Sequence, residues 1–149
     1  MITNSFEETQ QAGFDFAQTL KGGDLVCLRG DLGSGKTTFV QGLAKGLGIE
    51  KKIISPTFII MRIYDVGIKN PSKSAGRQEA RIKSFYHVDL YRIESEKDVE
   101  GLGLIDIIND KENIVVIEWP EKIEDRLPKD RKNIFFTYID ENERNIIIE

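Results

Sequence analysis

An α/β fold is what the sequence predicts: a central, mostly parallel sheet with helices on both faces, ending in an antiparallel hairpin. Three observations carry this reading. Helix-like and strand-like segments alternate along the 149 residues, as in layers stacked around a sheet. Ile114-Val115-Val116-Ile117 and the run LVCL at 25–28 are unbroken apolar stretches short enough to be buried strands. Residues 132–138 and 144–148 then read as two strands joined by Asp140-Glu141-Asn142-Glu143, a terminal hairpin.

The elements follow in order. Ser5-Phe6-Glu7-Glu8 has the Ser-x-x-Glu form of a capping box, so a helix begins near residue 6. Ala12, Phe16 and Leu20 recur at i, i+4 and i+8 beside Gly13 and Ala17, which makes one packing face, and Gly22-Gly23 closes the helix. Residues 24–29 form a buried strand, a glycine loop follows, and 36–47 form a helix stopped by Gly48. Residues 53–64 (IISPTFIIMRIY) are extended in composition, with Pro56 near their start. Residues 66–84 lose apolar periodicity and gather Gly, Pro and Ser, which predicts a long loop between two strands. Strand composition returns over 85–93 (FYHVDLYRI), and 95–110 reads as helix interrupted around Gly101-Leu102-Gly103.

Size and composition bound the function. A chain of 149 residues suits one domain, expected to span 1–149, and a domain of this size buries roughly 68–70% of its unfolded surface. With 40% hydrophobic residues it has material for a core. A net charge of −4 argues against a general nucleic-acid coat and leaves room for a local basic patch. The single cysteine, Cys27, excludes an internal disulfide and a cysteine-based zinc cluster, and within LVCL it reads as a small core residue. The single histidine, His87, excludes a histidine-cluster metal site. No apolar run is long enough to span a membrane and no signal-like start is present, so the chain is expected in the cytoplasm.

Chemistry concentrates in GDLGSGKTTF. Gly30-x4-Gly35-Lys36-Thr37 has the full spacing of a phosphate loop, and it follows a strand and opens a helix, as that motif requires. Glycines let the backbone curl so that its N–H groups point inward at phosphates. The helix N-terminus adds about half a positive charge. Lys36 is placed to neutralise β- and γ-phosphates, and the Thr37 hydroxyl to ligate magnesium. A nucleoside triphosphate is therefore expected here, with Mg2+ as its companion. No guanine-reading Asn-Lys-x-Asp is present, and Asp98-Val99-Glu100-Gly101 lies in a charged, helix-like stretch, so ATP is the expected nucleotide.

Hydrolysis needs further groups. Glu118 follows the buried strand 114–117, where a carboxylate can hold magnesium through water or polarise an attacking water. Asp89 stands amid Val88, Leu90 and Tyr91, and a charge there needs a reason: catalysis, or structural pairing with Arg92 or a lysine. Thr57 in SPTF is a candidate γ-phosphate sensor. His87 is a candidate proton shuttle, although a lone strand histidine is more often packed or at the surface. Arg126 and Arg131 leave open a phosphate-closing lid and hence a small-molecule kinase, against which stands the little room for an acceptor pocket.

In this order GDLGSGKTTF, SPTF, HVDLYR, GLGLIDII and VIEWPE resemble the bacterial TsaE (YjeE-type) proteins, over about residues 5–128. The resemblance implies a P-loop NTPase-like three-layer fold and the ATPase of tRNA threonylcarbamoyladenosine synthesis. It implies that Asp31, Leu32, Gly33, Ser34, Gly35, Lys36, Thr37 and Thr38 cradle the ATP phosphates, with Thr37 a magnesium ligand. Thr57 matches the family's switch threonine, Asp89 its essential aspartate, and Glu118 its metal-associated glutamate. Trp119, otherwise readable as a core residue, falls beside the nucleotide, and Thr9 falls near the base. Similar proteins are slow ATPases alone and act with the TsaB–TsaD pair. In that pair TsaD transfers the threonylcarbamoyl group to an adenosine beside the tRNA anticodon. ATP turnover would reset the assembly, and tRNA would be met only through it.

One departure is the length of the segment between Tyr64 and Phe85, which carries Lys69, Lys73, Arg77, Arg81 and Lys83 against Asp65 and Glu79. It reads as a solvated loop or, more sharply, as a contact with tRNA or a partner protein. A nucleotide-gated binding module with incidental hydrolysis is the other functional alternative.

Overall fold

In the computed structural model, which describes residues 1–66 and 82–149, the strands join in one sheet. Along the chain run β1 (Ile2–Thr3), α1 (Phe6–Ala17), β2 (Leu25–Arg29), α2 (Lys36–Gly46), β3 (Met61–Asp65) and β4 (Ser84–Asp89). Then come α3 (Lys97–Glu100), α4 (Leu104–Asn109), β5 (Asn113–Glu118), a 3₁₀ segment (Pro120–Arg126), β6 (Lys132–Tyr138) and β7 (Arg144–Ile148). The spatial order is β1-β7-β6-β2-β5-β4-β3. The centre is parallel, through the pairs β6–β2, β2–β5 and β5–β4. Both margins are antiparallel: β6–β7 forms the expected terminal hairpin with β1 added to it, and β3 returns against β4.

Alternation along the central strands sorts the core into two layers. Val26, Leu28, Ile114, Val116 and Ile134 meet α1 and α2 on one face, where Phe39 packs between the rings of Phe16 and Phe136. Leu25, Cys27, Val115 and Ile117 face α3, α4 and the 3₁₀ segment. Helices thus cover both faces, giving three layers. Cys27 is a core residue, and burial pushes its thiol up to about 11 because the thiolate loses hydration there.

Local chemistry sets the ends of the elements. Ser5 caps α1, its Oγ accepting from Glu8 N–H at 3.1 Å, while Glu8 reaches back to Asn4 N–H at 2.7 Å. The expected extended run 53–64 becomes strand only from Met61, because Pro56 carries no N–H for a ladder. Its carbonyl instead accepts from Ile59 and Ile60, which makes SPTF a turn. The expected strand 85–93 stops at Asp89, whose Oδ1 accepts from Tyr91 N–H at 2.9 Å and bends the chain. The helix expected over 95–110 with an interruption around Gly101-Leu102-Gly103 is two short helices, broken there as Gly103 takes a left-handed φ of 65°.

Most of the expected loop 66–84, with Lys69, Lys73, Arg77, Glu79 and Arg81, lies outside the described residues. At its described ends Val66 N–H donates to Lys83 O at 2.9 Å.

Candidate functional site

The parallel register aligns the strand ends. Leu28 of β2 stands beside Glu118 of β5, and Glu118 beside Asp89 of β4. Along β4 the face toward α2 carries Phe85, His87 and Asp89, so it changes from apolar to ionisable as the strand reaches its carboxyl end. Crevices outside the carboxyl ends of strands are where open α/β sheets take their ligands. Here a cleft of about 200 Å³ opens, lined by residues 32–38, Ser55, Thr57, Asp89, Tyr91, Glu118, Trp119 and Arg144.

The glycine loop between β2 and α2 forms one wall. Gly33 and Gly35 have φ of 78° and 100°, left-handed values that other residues rarely adopt. Lys36 is buried at the first position of α2. Its Nζ donates to Gly30 O at 2.6 Å and Asp31 O at 2.9 Å, and lies 4.5 Å over the Trp119 ring. Burial pushes the Lys36 pKa below the ordinary lysine value, opposed first by Glu118 and then by Asp89, Glu121 and Asp31. Trp119 itself has a left-handed backbone, φ 60°, and packs against the Tyr91 ring at 5.1 Å.

Two carboxylates form the opposite wall. Glu118 is buried, and its Oε1 accepts from the Thr37 hydroxyl at 3.2 Å and lies 2.8 Å from His87 Nε2. Asp89 is buried too; its Oδ2 accepts from Thr57 Oγ1 at 2.7 Å and Ser55 Oγ at 3.2 Å. Thr37, Glu118 and Asp89 thus present oxygen donors only, the chemistry preferred by a hard cation such as magnesium. Among the described residues no three His, Cys, Asp or Glu side chains converge to hold a metal by themselves. A cation here would draw its other ligands from phosphate and water, as magnesium commonly does.

The structure therefore brings Leu32, Gly33, Ser34, Gly35, Lys36, Thr37, Thr38, Thr57, Asp89, Glu118 and Trp119 to one cleft. Asp31 contributes through its carbonyl on Lys36. Thr9 lies next door, in a smaller cavity that shares Gly35, Thr38 and Arg144 with the cleft, and its hydroxyl already meets Thr3 Oγ1 and Ser5 O. Arg92 does not pair with Asp89; it lies over the Phe58 ring at 4.2 Å. Arg126 and Arg131 form no lid. The first bonds Glu96 at 2.7 Å and Glu100 at 3.1 Å, and the second bonds Glu124 and the Leu127 and Pro128 carbonyls, away from the cleft.

A family model described as "Threonylcarbamoyl adenosine biosynthesis protein TsaE" matches residues 3–146. The chain belongs to the TsaE family. Among its relatives, the tRNA threonylcarbamoyladenosine biosynthesis protein TsaE of Bacillus subtilis is 37% identical over 140 residues, 94% of this chain and 78% of that protein. The TsaE of Treponema pallidum is 32% identical over 147 residues, 99% of this chain and 97% of the relative. The crystal structure of YdiB from Bacillus subtilis superposes with a TM-score of 0.74 at 33% identity, covering 98% of this chain and 80% of that one. Membership in the TsaE family accounts for the order of motifs along the chain.

Within the cleft, sequence reasoning missed Ser55, Tyr91 and Arg144. Ser55 stands two residues before Thr57 and joins it on Asp89, a spacing that was open to notice. Arg144 carries no local signal. Only the pairing of β6 with β7 returns it beside Gly35, where its side chain would stand 3.5 Å from an added Cβ.

Proposed function

We propose that this TsaE-family chain is one Mg2+-dependent ATPase domain, acting in the cytoplasm with the TsaB–TsaD pair in threonylcarbamoyl modification of the tRNA adenosine next to the anticodon. The observation that supports it most is the convergence of Lys36, Thr37, Glu118 and Asp89 at the carboxyl ends of three neighbouring strands, against a phosphate loop.

Each residue has a role in that reading. The loop N–H groups and Lys36 bind the β- and γ-phosphates, Lys36 exchanging its loop carbonyl partners for phosphate oxygens. Thr37 and Glu118 would hold magnesium, which supplies neutralisation of the charge on the transferring phosphoryl group. Asp89, anchored by Thr57 and Ser55, orients the water whose oxygen bonds the γ-phosphorus as the bond to the β–γ bridging oxygen breaks, giving ADP and phosphate. Trp119 covers the Lys36 side of the cleft. Among the described residues no helix is long and apolar enough to cross a membrane. tRNA is reached through the partner pair.

The test is phosphate release from ATP by this protein alone, and with the purified TsaB–TsaD pair and tRNA. A low basal rate that rises with the partners is expected. Glu118→Ala or Asp89→Ala should keep ATP binding and lose about 10²-fold or more of the turnover, as removal of one electrostatic stabiliser does elsewhere. Modification that proceeds unchanged with either variant would favour a nucleotide-gated binding module instead.

A further inference from the structure

His87 is fully buried beneath the cleft, where its neighbours on the same face of β4 and β5 include Phe85, Ile114 and Val116. Its one polar partner among the described residues is Glu118, and its Nδ1 is buried with none. A polar ring half unsatisfied in an apolar layer is a cost that a purely structural core position avoids.

We propose that His87 is a positioning residue for Glu118, fixing the orientation in which its carboxylate faces the nucleotide's metal. This rests on the magnesium-ATPase reading above. A carboxylate only accepts hydrogen bonds, so Nε2 is the nitrogen that donates. In the neutral ring Nδ1 is then a bare lone pair, and an unsatisfied acceptor is tolerated in protein interiors more often than an orphaned N–H. Nε2 takes Oε1 at 2.8 Å, and Thr37 Oγ1 takes the same oxygen at 3.2 Å. Oε2 keeps only a contact of 3.5 Å with Thr37. His87 and Thr37 together therefore pin Oε1 and leave Oε2 as the free ligand. Without His87 the carboxylate can turn about its own bond, because Thr37 lies near both oxygens, at 3.2 and 3.5 Å, and does not hold its plane.

His87→Leu removes the donor at similar volume; His87→Gln keeps an amide N–H2 within comparable reach. With His87→Leu, kcat for phosphate release should fall about tenfold or more, the usual effect of losing a group that orients a metal ligand. KM should move less than about threefold, since the phosphate loop is untouched. The Mg2+ concentration for half-maximal binding of a non-hydrolysable ATP analogue, read by Trp119 fluorescence, should rise. His87→Gln should restore both.

A second readout needs no nucleotide. The lone histidine gives one imidazole in a 1H–15N spectrum, expected to show an exchange-protected Nε2–H that Glu118→Ala abolishes. Wild-type kcat and magnesium dependence in His87→Leu would overturn the proposal, as would His87→Gln performing no better than Leu. Should His87→Leu fail to fold, His87→Gln decides: wild-type turnover supports the role, and lost turnover in a folded protein overturns it. If the wild-type protein binds Mg·ATP without releasing phosphate, the ATPase reading fails, and an unchanged magnesium midpoint in His87→Leu would then separately reject the role of His87.

Discussion

Asp89 ties the chain to itself in two directions. Oδ1 accepts from Tyr91 N–H and ends β4, while Oδ2 holds the hydroxyls of Thr57 and Ser55, themselves 2.6 Å apart. A charge between apolar neighbours announces that position in the sequence, because burial unpaired is costly. Its partners were not legible, since they lie 32 and 34 residues away and only the return of β3 against β4 brings them in. The same segment holds Ile60, a β-branched residue at φ 66°, so it is kept in a strained backbone by its surroundings. Asp89→Ala should release the 55–60 turn, and limited proteolysis should cleave there faster than in wild type. Asp89→Asn should protect it, because Ser and Thr hydroxyls donate or accept as required. Equal cleavage of both variants and wild type would show that the turn is held by other contacts.

Between the elements, α1 and α2 cross with backbone close against backbone. A Cβ on Gly13 would stand 2.1 Å from Phe39 O, and one on Gly42 would stand 1.8 Å from Gln10 O. Two opposing effects bear on Gly42→Ala. Alanine favours a helix over glycine by about 1 kcal/mol. Against that, backbone meets Cβ far inside contact distance, and forcing atoms into a packed interface costs typically about 1–3 kcal/mol, occasionally more. At 1.8 Å the overlap is deep enough to place the cost at about 3 kcal/mol, so the clash wins and the variant should lose about 2 kcal/mol of stability, read as a lower urea midpoint. A Gly42→Ala protein as stable as wild type would mean that the helices slide apart freely. Sequence patterning marked Gly13 as part of a packing face but could not show that the face was backbone against backbone. The buried strands and the hairpin were legible because unbroken apolar runs and turn residues act locally. What failed were ends: at Asp89 and Pro56 a single hydrogen bond or a missing N–H overruled composition, whereas the break near Gly103 was legible from Gly101-Leu102-Gly103. The site's glycine loop and carboxylates were legible as motifs, whereas Arg144 depended on strand pairing.

Across the whole molecule, the cleft is where distant segments meet: the loop at 32–38, Ser55 and Thr57, Asp89 of β4, Glu118 and Trp119 after β5, and Arg144 of β7. Within it the polar groups hold one another: loop carbonyls hold the Lys36 ammonium, and the Thr37 hydroxyl rests on Glu118. A ligand that replaces these contacts binds only the folded arrangement, because no unfolded chain assembles it. Its binding energy must then add to folding. At a concentration 100 times its Kd, a ligand specific for the native state contributes about 2.7 kcal/mol. Each kcal/mol moves the midpoint of a domain this size by about 2–4 °C, so Mg·ATP should raise Tm by roughly 5–11 °C. The shift should shrink when EDTA removes magnesium and vanish in Lys36→Ala, whose own Tm without nucleotide should hardly fall, since a buried ammonium is costly to desolvate. Thermal melts with ATP, with ATP and EDTA, and with the variant separate these cases. A wild-type Tm indifferent to saturating Mg·ATP would mean that the cleft does not close on a triphosphate, and the convergence of its walls would need another ligand to explain it.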